Sequence, residues 1–94
     1  MIREYEVDRK FLPQSIEILT EADALAKDED TNVLALYPII ADKMDILYVV
    51  YYYSSFEAMG DIIDRIGMSK EFQNLVSKAN ETGKLKSSNV VKII

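Results

Sequence analysis

Six tyrosines and two closely spaced glutamates are the side chains of this sequence with the most to offer chemically. Tyr48, Tyr51, Tyr52 and Tyr53 crowd one apolar stretch, and Tyr5 and Tyr37 stand in other stretches with strand character. A phenol presents a large apolar wall and a hydroxyl that both donates and accepts. Such a cluster suits a cavity that orients a hydroxyl or keto group on an otherwise apolar guest. Packing alone also accounts for it, because tyrosine is favoured in strands. Glu4 and Glu6 are two apart on a stretch that reads as a strand, so they share a face. In a ligand cavity one of them would serve as a general base or hold a polar group of the guest. Two carboxylates in a dry site need Arg3, Arg9 or a tyrosine beside them. No catalytic motif is recognisable.

The missing residue types narrow the chemistry. The chain has no Cys, His or Trp. Disulfides, thiol catalysis, Cys-based zinc sites, iron–sulfur clusters, His-based triads and His-ligated haem are therefore excluded, and no cofactor or metal is expected. The net charge of −5 is concentrated in residues 1–32, which carry four bases and nine acids; the remainder carries seven of each. An acidic chain without a basic stripe repels phosphate backbones, so neither nucleic acid nor an anionic membrane is an expected partner. The longest apolar run, Ile46 to Tyr53, is too short for a membrane-spanning helix, and the first residues do not read as a secretory signal. Cytoplasmic localisation is the expectation. The acids Asp28-Glu29-Asp30 lack the glycine and the terminal glutamate of an EF-hand loop and read as a solvated turn rather than a calcium site.

The elements that must position these residues follow from periodicity. Residues 2–10 alternate as a strand, and Pro13 then opens a helix whose stripe is Leu12, Ile16, Leu19, Ala22 and Ala26. The helix is expected to stop before Asp28, where acids oppose its dipole. Residues 32–40 form a second strand that contains Pro38, which suits a sheet edge. Residues 46–53 form a third. Ser54 and Glu57 have capping-box spacing before the stripe Phe56, Met59, Ile62, Ile63 and Ile66. Gly67 breaks that helix and Ser69 caps a new one with Phe72, Leu75, Val76 and Ala79 on one face. Gly83 stands as the C′ glycine, and residues 87–94 form the last strand.

The order β-α-β-β-α-β over a single domain of residues 1–94 predicts an α+β, ferredoxin-like fold. Strands 1 and 3 would be central in a four-stranded antiparallel sheet, with both helices on one face. One feature does not fit a monomer. The third strand is apolar or aromatic on both sides: Leu47, Val49, Tyr51 and Tyr53 point one way, and Ile46, Tyr48, Val50 and Tyr52 the other. Leaving about four large side chains in water would forgo roughly 6–10 kcal/mol. A second copy packed sheet to sheet as a homodimer relieves that cost.

Residues 45–57, Asp45-Ile46-Leu47-Tyr48-Val49-Val50-Tyr51-Tyr52-Tyr53-Ser54-Ser55-Phe56-Glu57, resemble the third strand and following helix start of the dimeric α+β barrel superfamily. The break Gly67-Met68-Ser69-Lys70-Glu71-Phe72 is similar to that of NIPSNAP-like members, and the chain as a whole resembles the NIPSNAP-like and antibiotic-biosynthesis-monooxygenase-like members of that superfamily. The resemblance implies a sheet-to-sheet barrel and a range of activities: cofactor-independent monooxygenases, haem-degrading enzymes and polyketide cyclases. The His and Trp positions that often carry function there have no counterpart here, so no catalytic residue is transferred. An RNA-recognition domain also sets aromatics on its third strand, but Asp45-Ile46-Leu47 supplies none of the basic residues that reading requires. The leading expectation is a homodimer that binds an apolar small molecule, fatty-acid-, polyketide- or aromatic-like, in the barrel. Tyr5, Tyr37, Tyr48, Tyr51, Tyr52, Tyr53, Glu4 and Glu6 are its candidate ligand-binding residues. The alternatives are a monooxygenase- or cyclase-type enzyme using Tyr and Glu, and a structural dimer without a ligand.

Overall fold

A computed structural model describes residues 1–94 except Asp28 and Asp30. Two of the three acids weighed for calcium therefore lie outside the described residues. The elements are strand β1 (Ile2–Glu6), a 3-10 turn (Arg9–Phe11), helix α1 (Leu12–Leu25), β2 (Thr31–Leu36), β3 (Ile46–Tyr53), α2 (Phe56–Ile62), a π-helical turn (Ile63–Gly67), α3 (Lys70–Thr82) and β4 (Lys84–Asn89). The sheet order is β2-β3-β1-β4 and every neighbouring pair is antiparallel. The fold is α+β and ferredoxin-like, with β1 and β3 central as expected.

Three strands are shorter or earlier than their sequence patterns suggest. β1 stops at Glu6 because Asp8 turns the chain, its carboxylate accepting from Lys10 N at 3.0 Å. β2 stops at Leu36, before Pro38. The Tyr37 hydroxyl donates to Val7 O at 2.8 Å and Arg9 Nη2 donates to Pro38 O at 2.6 Å, so this stretch is tied to the end of β1 instead of the ladder. β4 covers residues 84–89 rather than 87–94. Its last pair with β1 is Ile2↔Asn89, and β1 offers nothing beyond. Val90, Val91, Ile93 and Ile94 leave the sheet and are exposed.

Gly83 is not a left-handed C′ glycine. It is the C-cap of α3 with extended backbone, φ −164°. Glycine is required there by proximity, since a Cβ would stand 2.6 Å from Val7 Cγ2 and 2.9 Å from Glu6 O. The tight turn from α3 into β4 is thus held against the end of β1. The cap of α2 is Ser55, not Ser54: its hydroxyl accepts from Ala58 N at 3.0 Å. Ser69 caps α3 as expected, accepting from Phe72 N at 3.2 Å.

The helices cover one face of the sheet. The core is Val7, Leu47 and Val49, with Val49 only 1% exposed. Ala22, Ile62 and Leu75 are buried from the helices. In α1 the buried line runs through Ser15 and Ala22, whereas Ile16, expected in the stripe, is exposed. The polar Ser15 is accommodated because its hydroxyl lies 3.2 Å from Phe11 O and 3.3 Å from Thr82 Oγ1. Among the described residues, no helix is long and apolar enough to cross a membrane.

Candidate ligand-binding cleft

The cross-strand register settles which tyrosine faces which way. Opposed residues of an antiparallel pair share a face. Arg3 opposes Val49, Tyr5 opposes Leu47 and Val33 opposes Tyr51, so these six look toward the helices. By alternation Tyr53 joins them. Tyr37 follows β2 and packs on the same core. The opposite, open face carries Tyr48 and Tyr52, with Ile46 and Val50 beside them on β3 and Ile2, Glu4 and Glu6 on β1. The aromatic cluster is therefore divided, with Tyr5, Tyr51 and Tyr53 under the helices and Tyr48 and Tyr52 outside.

The carboxylates lie on the open face. Glu4 is half-buried, opposes Tyr48, and its Oε2 accepts from Ser87 Oγ at 2.8 Å. Glu6 is exposed and stands 3.6 Å from Lys86 Nζ. Neither accepts a hydrogen bond from a tyrosine hydroxyl among the described residues. The basic partners weighed for them are elsewhere. Arg3 is on the helix side, and Arg9 lies 4.8 Å from the Tyr37 ring centroid with its Nη2 on Pro38 O.

Between sheet and helices lie two adjoining spaces. The inner one, about 120 Å³, is bounded by α1, α3 and the middle of the sheet. The outer one, about 350 Å³, opens toward α2 and the π-helical turn. They share Arg3, Ala22, Tyr51, Phe72, Val76 and Leu85 as walls. The larger has the size of a modest small-molecule site. Burial pushes the Tyr51 hydroxyl from its ordinary 10.0 up to about 12, with Tyr5 reinforcing the shift and Arg3 opposing it. Burial raises Tyr53 in the same way, again against Arg3. Both phenols are thus neutral donors near neutral pH, in a water-poor setting.

Arg3 is the residue that sequence reasoning passed over as a site residue. Its signal was parity: it falls on the strand face of Tyr5 and Val7, opposite to Glu4 and Glu6. Its guanidinium carbon lies 5.8 Å from the Tyr51 ring centroid, and Nε approaches Ser88 Oγ at 3.4 Å. Outside the cleft lining, Arg65, of the π-helical turn, pairs with Glu29 at 2.7 Å and Asp61 at 2.8 Å. Hydrogen bonding to Arg65 lowers both carboxyl pKa values. Among the described residues no cluster of three or more potential metal-ligating side chains occurs.

A third hollow, about 560 Å³, runs along the end of β3 beneath the C-terminal segment, with Ile2, Val50, Tyr52, Phe56, Val91 and Ile93 among its walls. No family model, curated protein or solved structure matches this chain.

Proposed function

We propose that the protein binds an apolar small molecule and works as a homodimer joined through the open face of its sheet. The observation that carries the first half is the cleft of about 350 Å³ between the sheet and the helices, with apolar walls and the phenols of Tyr51 and Tyr53. A space of this kind favours a hydrocarbon or aromatic guest with one or two polar groups. The reading moves the guest from the barrel interior to the helix side of the sheet.

The second half rests on the open face. Leu34 is 51% exposed, Leu36 56% and Tyr52 40%, all on that side of β2 and β3. The β1–β4 half of the same face holds Glu4 and Glu6 together with Lys84 and Lys86, so one face offers both signs of charge to a copy of itself. A second copy fits it better than a partner of uniform charge. The resemblance to dimeric α+β barrels agrees with this assembly and with the ferredoxin-like fold.

The test of the guest is native mass spectrometry of gently purified protein, followed by organic extraction. We expect a mass above that of the bare chain and a recovered small apolar compound. A bare mass, with no uptake of apolar fluorescent probes, would favour a structural dimer.

A further inference from the structure

We infer that Arg3 makes this cleft selective for a single-chain carboxylate, so that the guest is an anionic amphiphile whose head group meets the guanidinium and whose hydrocarbon lies along the apolar walls. The inference rests on the small-molecule reading above and adds its head-group chemistry.

Among the described residues Arg3 is the only charged side chain lining either space, and it lines both; the Met1 ammonium, which donates to Tyr51 O at 2.8 Å, also borders the larger one. Among the described residues no carboxylate stands within ion-pair distance of Arg3. Its sole side-chain hydrogen bond there is the long one from Nε to Ser88 Oγ at 3.4 Å. The donors on both Nη atoms have no protein acceptor among the described residues. A guanidinium presents five N–H donors in a planar fork, matched in shape to a carboxylate. A partly buried cation without a counter-charge is costly, and an anion from outside relieves that cost.

The rest of the cleft supplies the tail site. Ala22, Ile62, Ile66, Phe72 and Val76 contribute apolar wall, and Tyr53 adds a phenol near the charged end. The raised pKa values of Tyr51 and Tyr53 agree with a neutral, water-poor wall beside the Arg3 guanidinium. A dianionic phosphate would bring a second charge and a third oxygen against walls that are otherwise largely apolar, which is why the carboxylate is the better match.

The experiment compares two ligands with the same hydrocarbon chain, dodecanoate and 1-dodecanol, on the full chain by calorimetry. Arg3→Met and Arg3→Lys are measured alongside, with their melting temperatures as a fold control. We expect the intact protein to bind dodecanoate about tenfold or more tightly than dodecanol. Arg3→Met should erase the preference while keeping dodecanol affinity within about twofold, and Arg3→Lys, which keeps charge but loses the fork, should fall between. Equal binding of both ligands, unaltered by either substitution, overturns the carboxylate inference and leaves the apolar site standing. Failure of both ligands to bind overturns the inference together with the reading beneath it.

Discussion

Gly83 shows how one missing methyl group joins two parts of the fold. The Cβ of an alanine there would fall 2.6 Å from Val7 Cγ2 and 2.9 Å from the Glu6 carbonyl, and the second neighbour is backbone that cannot rotate away. Gly83→Ala should cost about 1–3 kcal/mol, read as a lowered midpoint in chemical denaturation. Gly60, in α2, has nothing within 4 Å of the same position. Gly60→Ala should instead raise stability by about 0.4–1 kcal/mol through helix propensity and chain entropy. Tyr51 carries a pH dependence of definite sign. Its hydroxyl titrates near 10.0 when exposed and near 12 in the fold. The folded state therefore favours the neutral phenol, and its contribution is complete below pH 10. It is lost as pH climbs toward 12, to a limit of about 2–3 kcal/mol. Denaturation midpoints measured across this window should fall, and Tyr51→Phe should flatten the decline. Arg3 and Tyr51 also mark what the sequence concealed at the site. β3 is apolar on both sides, so its own pattern cannot tell the helix face from the open face. Only pairing with β1, where Arg3, Tyr5 and Val7 alternate with Glu4 and Glu6, separates them.

At the scale of elements, what was legible had a strong local cause. β3 spans Ile46–Tyr53 as its unbroken apolar run predicts, and α3 turns the stripe of Phe72, Leu75, Val76 and Ala79 inward behind a Ser69 cap, with Leu75 buried and the other three half-buried. What misled had a tertiary cause. Val90-Val91-Lys92-Ile93-Ile94 has higher strand propensity than Lys84-Leu85-Lys86-Ser87-Ser88-Asn89, yet the second segment is the strand. α3 hands the chain to β1 at Gly83, so pairing begins at once and ends where β1 ends, at Ile2↔Asn89. Register set by a close approach outweighs propensity. The two adjacent serines before α2 are a second case, because either can cap on composition alone. Ser55 has the extended backbone and the hydrogen bond to Ala58 N. Ser55→Ala should cost about 0.5–2 kcal/mol by thermal unfolding, and Ser55→Asp should recover most of it.

For the whole molecule, the two valines at the centre of β3 separate folding from assembly. Val49 is 1% exposed within one chain, whereas Val50 lies on the open face between Ile2 and Leu34. Val49→Asp should unfold the protein. Val50→Asp should leave a folded monomer, with its circular dichroism kept and its mass halved in light scattering behind a sizing column. A monomeric mass for the unaltered chain at micromolar concentration would rule out the homodimer. The open face is also divided along its width. Leu34 and Leu36 of β2 and the apolar and aromatic side chains of β3 occupy one half, and Glu4, Glu6, Lys84 and Lys86 of β1 and β4 the other. Two such faces stacked in a closed pair are related by a two-fold axis lying between the sheets. An axis along the strands through the middle of the sheet reverses the strand order and sets Leu34 and Leu36 over the partner's lysines. An axis across the strands sets β2 over β2 and β3 over β3, so that apolar surface meets apolar surface and acids and bases share the other half. In the homodimer proposed above, the division of this one face would act as a compass for assembly, selecting the direction of the symmetry axis.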